Sequence, residues 1–305
     1  MRSATVRGSF VDAQRLCCGN CRVFDRLHSA YRQAFAGFCG GLRPLGVCPV
    51  VFDCVCRNRG GGHAVFAGRF AAVYCGGHVW RFMPYRQGGR CVFPLARALD
   101  MVGSDVDHFE CPRCGAHDRE RHLLMYLQAS GLFAELSKCS ILHFAPEKRL
   151  SLRIAQEKPV LHVLCDLYPT SDEVRRVDMQ AMPFDSDTFD FLLANHVLEH
   201  VEMLDVALAE IHRVLKIGGY AILQTPFSMK LQHTWEDAGI DSAHARLQAF
   251  GQEDHVRLFG RDIFERITQV GFESLVKSHH ELLVNHDAAA AGVNSREPFF
   301  LFRKI

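Results

Sequence analysis

From residue 141 onward, short apolar runs alternate with amphipathic stretches, and this alternation constrains the fold more than any other feature of the chain. ILHFA (141–145), VLHVLCD (160–166), TFDFLLANH (188–196) and YAILQTP (220–226) read as strands of the continuously apolar type that a parallel sheet buries on both faces. KRLSLRIAQ (148–156) reads as a short helix. A long helix is expected over 197–216, where Val197, Val201, Leu204, Leu208, Ile211 and Leu215 recur at steps of three and four, and Gly218 and Gly219 end it. GRDIFERITQVG (260–271) gives a further helix, before a terminal pair of strands in FESLVKSHHELLV and REPFFLFRK. This spacing predicts an α/β fold, a right-handed, doubly wound Rossmann-like sheet whose ligand lies at the C-terminal ends of its strands.

The earlier part of the chain has a different character. Residues 1–100 hold 14 Arg, no Lys, 4 Asp and no Glu, a balance of +10, whereas 101–305 carry 21 basic and 30 acidic side chains. The overall charge of +1 therefore conceals a composite chain. Residues 1–70, rich in Arg, Gly and Cys, show no sustained period and read as an irregular extension. Its charge could serve nucleic acid, but poor order and an Arg-biased base composition explain it as well, and no nucleic-acid partner is expected. Residues 71–135 read as a small zinc-ribbon-like knuckle and a linker helix striped by Leu123, Leu124, Leu127 and Leu132, and 136–305 as the main domain. No apolar run of membrane-spanning length and no apolar leader is found. The 13 cysteines, an odd number of which 11 fall in the first 114 residues, suit reduced thiols in a cytoplasmic protein better than a disulfide framework.

The run VDMQAMPFDSDTFDFLLANHVLEHVEMLDVALAEIHRVLKIGGYAILQTPF (177–227) resembles the class I S-adenosylmethionine-dependent methyltransferases of the type 11 branch. Asp178 before MPFD, the strand FDFLLANHVLEH and the helix end RVLKIGGYAIL stand in the family's order and spacing, and the likeness extends over about 141–281. Asp166, closing the second strand, sits where doubly wound folds place a carboxylate for ribose hydroxyls. The resemblance implies that Asp178 accepts from the adenine amino group while Met179 packs on the ring. It implies that Phe144, Ala145, Pro146 and Glu147 cradle the cofactor, and that Asn195 and His196 border its methionine end. Either acid could instead be a solvated loop carboxylate. His196 is then the side chain best placed for chemistry, followed by Glu199 and His200, although strand-end histidines are often structural and the helix dipole favours Glu199 regardless of function.

One departure matters: the family's glycine-rich loop after the first strand is replaced by HFAPEKRL, which has no glycine. A subset of bacterial relatives looks similar, with an APE turn, a CP-x-CG knuckle and a WED segment followed by FGQEDHVRLFG. These are present as Ala145–Glu147, Cys111–Gly115, and Trp235–Asp237 with Phe250–Gly260. Glu236, Asp237, Asp254, His255 and Arg257 crowd ionisable groups where relatives build the acceptor pocket. They read either as that pocket, with His255 a further catalytic candidate, or as a salt-bridged lid.

Cys111-Pro-Arg-Cys114-Gly has the form of a zinc knuckle, and Cys75 and His78, at the same spacing, offer two more ligands for a structural zinc. Relatives usually carry a second C-x2-C pair there, so His78 is a departure, and Cys18/Cys21 and Cys54/Cys56 are substitutes. Cys139 and Cys165 read as small core residues. The expected activity is methyl transfer from S-adenosylmethionine to an oxygen or nitrogen of a small-molecule or glycan-like acceptor. The alternative, motivated by the missing glycine and the basic N-terminal region, is a zinc-ribbon adaptor fused to an inactive methyltransferase fold. A nicotinamide-dependent dehydrogenase would want G-x-G-x-x-G after the first strand, which is absent.

Overall fold

A computed structural model describes residues 95–305 and, before them, only the backbone of four short strands. Apart from the backbone of two of these strands, residues 1–70 lie outside the described residues, as do the side chains of Cys75 and His78. The chain divides into two compact units, Asn20–Tyr85 and Met1–Gly19 with Arg86–Ile305. In the smaller unit Val55–Arg57 pairs antiparallel with His63–Val65, and Tyr74–Cys75 with His78–Val79, which sets Cys75 opposite His78 in the backbone register.

The larger unit is built on seven strands: β1 Ser140–Phe144, β2 Leu161–Asp166, β3 Arg175–Arg176, β4 Phe189–Ala194, β5 Leu215–Ile222, β6 Phe272–Ser274 and β7 Leu301–Lys304. Their order is 3-2-1-4-5-7-6. The first five are parallel, and β7 runs antiparallel between β5 and β6. The winding reverses between β1 and β4, so the loops that leave these neighbours diverge and open a crevice at the strands' C-terminal ends.

Five helices of at least seven residues flank the sheet or its insertion: α1 Asp118–Ala129, α2 Lys148–Ala155, α3 Leu204–Val214, α4 Ala243–Phe250 and α5 Ile263–Gln269. The apolar run of β4 is continuous because it serves two cores at once. Leu192 and Ala194 face α3 and α5, through Leu208, Ile211, Ile263 and Ile267, while Phe191 and Leu193 face α1, through Leu123 and Leu127. Each such side chain contributes about 1.5–3 kcal/mol by leaving water. The helix expected as a linker within 71–135 is thus a core element that covers one face of the sheet.

Three expectations are corrected. The helix of 197–216 is a single 3-10 turn, Leu198–His200, followed by α3, because Leu215 turns extended (φ −78°, ψ 142°) to enter β5. Gly218 and Gly219 are therefore not a helix cap: they lie inside β5, where a Cβ on Gly219 would come 2.9 Å from the Lys216 carbonyl oxygen. Much of FESLVKSHHELLV is not strand, since β6 ends at Ser274 and Ser278 caps a helical turn at His279–Leu282. In the polar segment 227–258, Trp235–Glu236 pairs with Arg257–Leu258 around α4, which Ser242 caps and Gly251 ends with φ +91°. Among the described residues no helix is long and apolar enough to cross a membrane.

Candidate active site

The turn leaving β1 does without glycine by placing an alanine where one is expected. Ala145 has φ +44°, a left-handed conformation that costs an L-residue roughly 1–2 kcal/mol, and its N–H donates to the Cys165 carbonyl oxygen at 2.8 Å. A methyl is the smallest side chain that can stand there, so the turn stays open to a ligand. The alternative of an inactive fold loses one of the two observations that motivated it. The following helix, α2, has no cap of its own: Glu120 reaches from α1 to accept from the N–H groups of Arg149 and Leu150 at 3.1 and 3.0 Å. A cleft of about 370 Å³ opens at this turn, lined among others by Cys114, His117, Arg119, Ala145, Pro146 and Glu147.

Glu147 closes the floor of the crevice. Its Oε1 accepts from Asn195 Nδ2 at 2.6 Å, which ties the β1 turn to the end of β4 across the point where the winding reverses. Burial works against its charge, but the imidazole of His143, 3.5 Å from Oε2, and the Arg119 guanidinium, 3.6 Å from Oε1, hold the carboxyl below the ordinary range. Asn195 Oδ1 and Arg119 Nε are left without a hydrogen-bond partner, an acceptor and a donor beside the turn. Such a pair matches the ammonium and carboxylate of an amino-acid end.

The end of β4 is strained as well, and for a different purpose. His196 has φ +58°, and its buried ring lies between two buried carboxylates, with Nε2 3.2 Å from Glu297 Oε1 and Nδ1 3.6 Å from Glu199 Oε1. Burial disfavours the imidazolium, yet the hydrogen bond and charge of Glu297, with the charge of Glu199, outweigh it and raise the His196 pKa. Held from both sides by carboxylates, the ring is a clamp on the end of β4. The clamp extends outward. Glu297 Oε2 lies 3.4 Å from His122 Nδ1, whose Nε2 meets His279 Nδ1 at 2.9 Å, and Glu199 Oε2 accepts from Thr225 Oγ1 at 3.0 Å. The two imidazoles keep Glu297 far below the ordinary carboxylate range despite its burial, while burial and the facing His122 push His279 down to about 4.

The remaining expected cofactor residues stand at the same rim. Phe144, the buried last residue of β1, precedes the turn, and Asp166 ends β2 with Oδ1 accepting from Tyr168 N at 2.8 Å. Asp178 is exposed and accepts from Gln180 N at 2.9 Å, while the adjacent Met179 is buried. Both acids are thus shaped by local turns that still leave oxygen atoms for a ligand.

The downstream segment divides into a staple and a cluster. Arg257 is buried and donates to the carbonyl oxygens of Leu198, Val201 and Glu202, and its Nε donates to Glu236 at 2.8 Å, so it fastens the segment to the turn after β4. Asp237 only caps its own turn, at Gly239 N. His255 is different: Nδ1 donates to the Phe250 carbonyl oxygen at 3.2 Å, burial lowers its pKa, and its buried Nε2 has no hydrogen-bond partner. It lies with Glu199 and His200, ligand-type atoms within 4.8 Å of one another, and Asp254 sits 3.2 Å from His200 Nδ1.

Cys111–Gly115 forms a tight hairpin, with Cys111 N–H donating to Ala116 O at 2.8 Å, Gly115 N–H to Cys111 O at 2.9 Å, and Gly115 at φ +74°. Arg121, buried in α1, donates to carbonyl oxygens of His108, Ala116 and Gly292 and so binds this hairpin to the core. Cys111 and Cys114 belong to the larger unit, Cys75 and His78 to the smaller.

Arg119, His122 and Glu297 are site residues that the sequence did not disclose. Arg119 and His122 look like the polar first turn of a surface helix, and Glu297 like the flank of a strand. Burial, 2% exposure each, separates His122 and Glu297 from solvated neighbours, while Arg119 is half-buried.

Residues 150–223 match the family model of a methyltransferase domain. No curated protein matches the chain. Among solved structures, a S-adenosylmethionine-dependent methyltransferase of Mesorhizobium loti is 14% identical, with 58% of this chain and 96% of that one covered and a TM-score of 0.40. One from Thermotoga maritima, described as a possible histamine N-methyltransferase, is 20% identical over 51% of this chain and 74% of that one, with a TM-score of 0.34. Likenesses this distant add nothing to what the sheet order already says. The segment similar to a methyltransferase domain thus runs from α2 through β5, along the crevice between β1 and β4 of the doubly wound sheet.

Proposed function

We propose that this domain transfers the methyl group of S-adenosylmethionine to an oxygen or nitrogen of a small, polar or glycan-like acceptor. The observation that carries this is the gathering of Glu199, His200, Asp254 and His255 beside the end of β4. Acids mixed with imidazoles suit an acceptor whose hydroxyl or amine groups they can orient, and they would reject an apolar one.

S-adenosylmethionine, when bound, supplies a methyl group already made electrophilic by its sulfonium. The chain's own task is to hold acceptor and donor in line. In this assignment Asp166 takes the ribose, Asp178 and Met179 the adenine, and the 144–147 turn with Asn195 and Arg119 the amino-acid end. Positioning can supply about 7–11 kcal/mol, whereas a general base adds typically ~10²–10⁴-fold, so placement dominates. Glu199 and His255 face the acceptor, and His196 is a positioning residue that holds Glu199.

Two finer points belong to the same proposal. Cys111 and Cys114 hold a structural zinc, and zinc content lost in Cys111→Ser checks this. The protein works in the cytoplasm, where such thiols stay reduced.

Calorimetric titration of the 305-residue chain with S-adenosylmethionine and S-adenosylhomocysteine tests the function. Micromolar binding of both, about −8 kcal/mol, is expected, followed by radiolabel transfer to hydroxyl- or amine-bearing acceptors in a screen. A folded protein that binds neither would sink the proposal.

A further inference from the structure

We infer that Glu199, His200 and His255 form a binding site for a first-row divalent cation, zinc foremost, on the acceptor side of the methyl-transfer crevice. The inference rests on the proposed methyltransferase function and deepens it, since the ion would meet the acceptor.

The three residues come from two segments that the fold brings together. Glu199 and His200 lie in the 3-10 turn after β4 and His255 in the loop after α4, and the Val256 N–H donates to the Glu199 carbonyl oxygen at 2.9 Å. Each offers one ligand atom, and the three lie within 4.8 Å of one another. Two imidazoles and a carboxylate are a donor set that suits zinc and its first-row neighbours, while calcium and magnesium prefer all-oxygen shells.

The contacts of the two histidines make the same point independently. A backbone carbonyl can only accept, so the 3.2 Å contact from His255 Nδ1 to the Phe250 oxygen places the proton on Nδ1 and the lone pair on Nε2. That Nε2 is buried and has no hydrogen-bond partner, in a side chain 5% exposed. His200 has its Nδ1 in ion-pair contact with the Asp254 carboxylate at 3.2 Å, which turns Nε2 to the other side of the ring. An imidazole that gives its second N–H to a carbonyl or carboxylate is oriented as metal-ligating histidines are.

Glu199 is held from behind. Its Oε2 accepts from Thr225 Oγ1 at 3.0 Å, and its Oε1 faces His196 Nδ1 at 3.6 Å. The carboxylate is therefore fixed in place while both its oxygens keep lone pairs for an ion. His200 and Asp254 are part-exposed, so an ion approaches from their side and the buried Glu199 and His255 complete its shell. Three protein ligands leave a fourth position open, as catalytic zinc sites do. An oxygen or nitrogen of the acceptor would fill that position, which gives the His196–Glu297 clamp a purpose: it holds the ligand that holds the ion.

The test is the zinc content of the whole chain after chelator treatment and reloading with Zn²⁺ alone, compared between wild type and His200→Ala, Glu199→Gln and His255→Ala. Each variant is expected to lose one equivalent of zinc, whatever the Cys111–Cys114 hairpin holds. Asp254→Asn, which removes only the orienting partner, is expected to weaken zinc about 10-fold or more. Reloading with Co²⁺ separates the sites, because thiolate-to-cobalt charge transfer marks the cysteines alone. That band is expected unchanged in His200→Ala while the weaker ligand-field bands diminish. His200 is part-exposed, so its variant keeps the fold, and equal zinc in wild type and His200→Ala overturns the inference. Titration of the same samples with S-adenosylmethionine separates the two failures. Cofactor binding without histidine-dependent zinc overturns the ion and spares the methyltransferase function, whereas histidine-dependent zinc in a protein that binds no cofactor keeps the site and overturns the function it would serve.

Discussion

The turns that leave β1 and β4 stand side by side, and each puts a non-glycine residue into a left-handed conformation, yet they use the strain differently. Ala145 at φ +44° carries almost no side chain, and the backbone beside it stays open to the cleft. His196 at φ +58° carries a large one, locked between Glu297 and Glu199. The first turn is shaped for a ligand to approach the main chain, the second to hold side chains still. Glu147 and Asn195 join them at 2.6 Å, so a disturbance on one side reaches the other. Strain at a site is tolerated when the surroundings over-determine it, and here two buried ionic networks do so.

The largest expected effect comes from the clamp. Glu297→Ala leaves the buried His122 and His196 without their carboxylate and should cost about 3–5 kcal/mol in denaturant unfolding. A loss under about 1 kcal/mol would mean that the second turn does not depend on its ion pairs. Next, Asp166→Ala removes a charged acceptor for the ribose and should weaken S-adenosylmethionine about 10–100-fold, with turnover harmed at least as much as in His196→Ala. Normal binding and turnover in the Asp166 variant would cancel that assignment, whereas a surviving His196→Ala would mean only that Glu199 keeps its place without this partner.

The first turn predicts smaller changes of opposite sign. Ala145→Gly should gain up to about 1 kcal/mol, the relief of left-handed strain less the extra freedom of glycine in the unfolded chain, and it should keep the cofactor. Ala145→Val should lose both stability and cofactor affinity, since a β-branched residue adopts positive φ poorly. If Gly and Val behave alike, the φ of this residue is not what keeps the turn open.

The smallest effect is a pH dependence. Glu297 and Glu147 both have folded pKa values below the ordinary 4.5, so the unfolded chain binds more protons there. Their contribution to stability is present above about pH 4.5 and is lost as the pH falls through that value and below it. Urea midpoints measured from pH 6 downward should therefore decline, and Glu297→Gln should flatten that decline more than Glu147→Gln if the clamp is the stronger network.

How much of this could be seen in the sequence varies from element to element. β1, β2 and β4 were legible because a strand buried on both faces must be apolar throughout, and α5 because Asp262 and Gly271 frame it. The helix of 197–216 was half legible. The spacing of Leu204, Leu208 and Ile211 is truly helical, but Val197 and Val201 share it by coincidence, and the chain there turns to bring Glu199 toward His255. The missing glycine misled in the other direction, since nothing local announces that Ala145 will adopt the conformation of one. Asp118, Glu120, Arg121 and His122 are buried, because Glu120 and Arg121 find backbone partners in α2, the hairpin and residues 291–292.

The sequence by itself determined the α/β alternation and the strand ends that bound the crevice, since apolar periodicity and turn residues act over a few positions. Only the tertiary structure decided that Glu147 would meet Asn195, that Glu297 would meet His196 from 101 residues away, and that Glu199 and His255 would share one place. Buried charges are stable only beside specific partners, and those partners are chosen by packing in space, with no trace in the spacing along the chain.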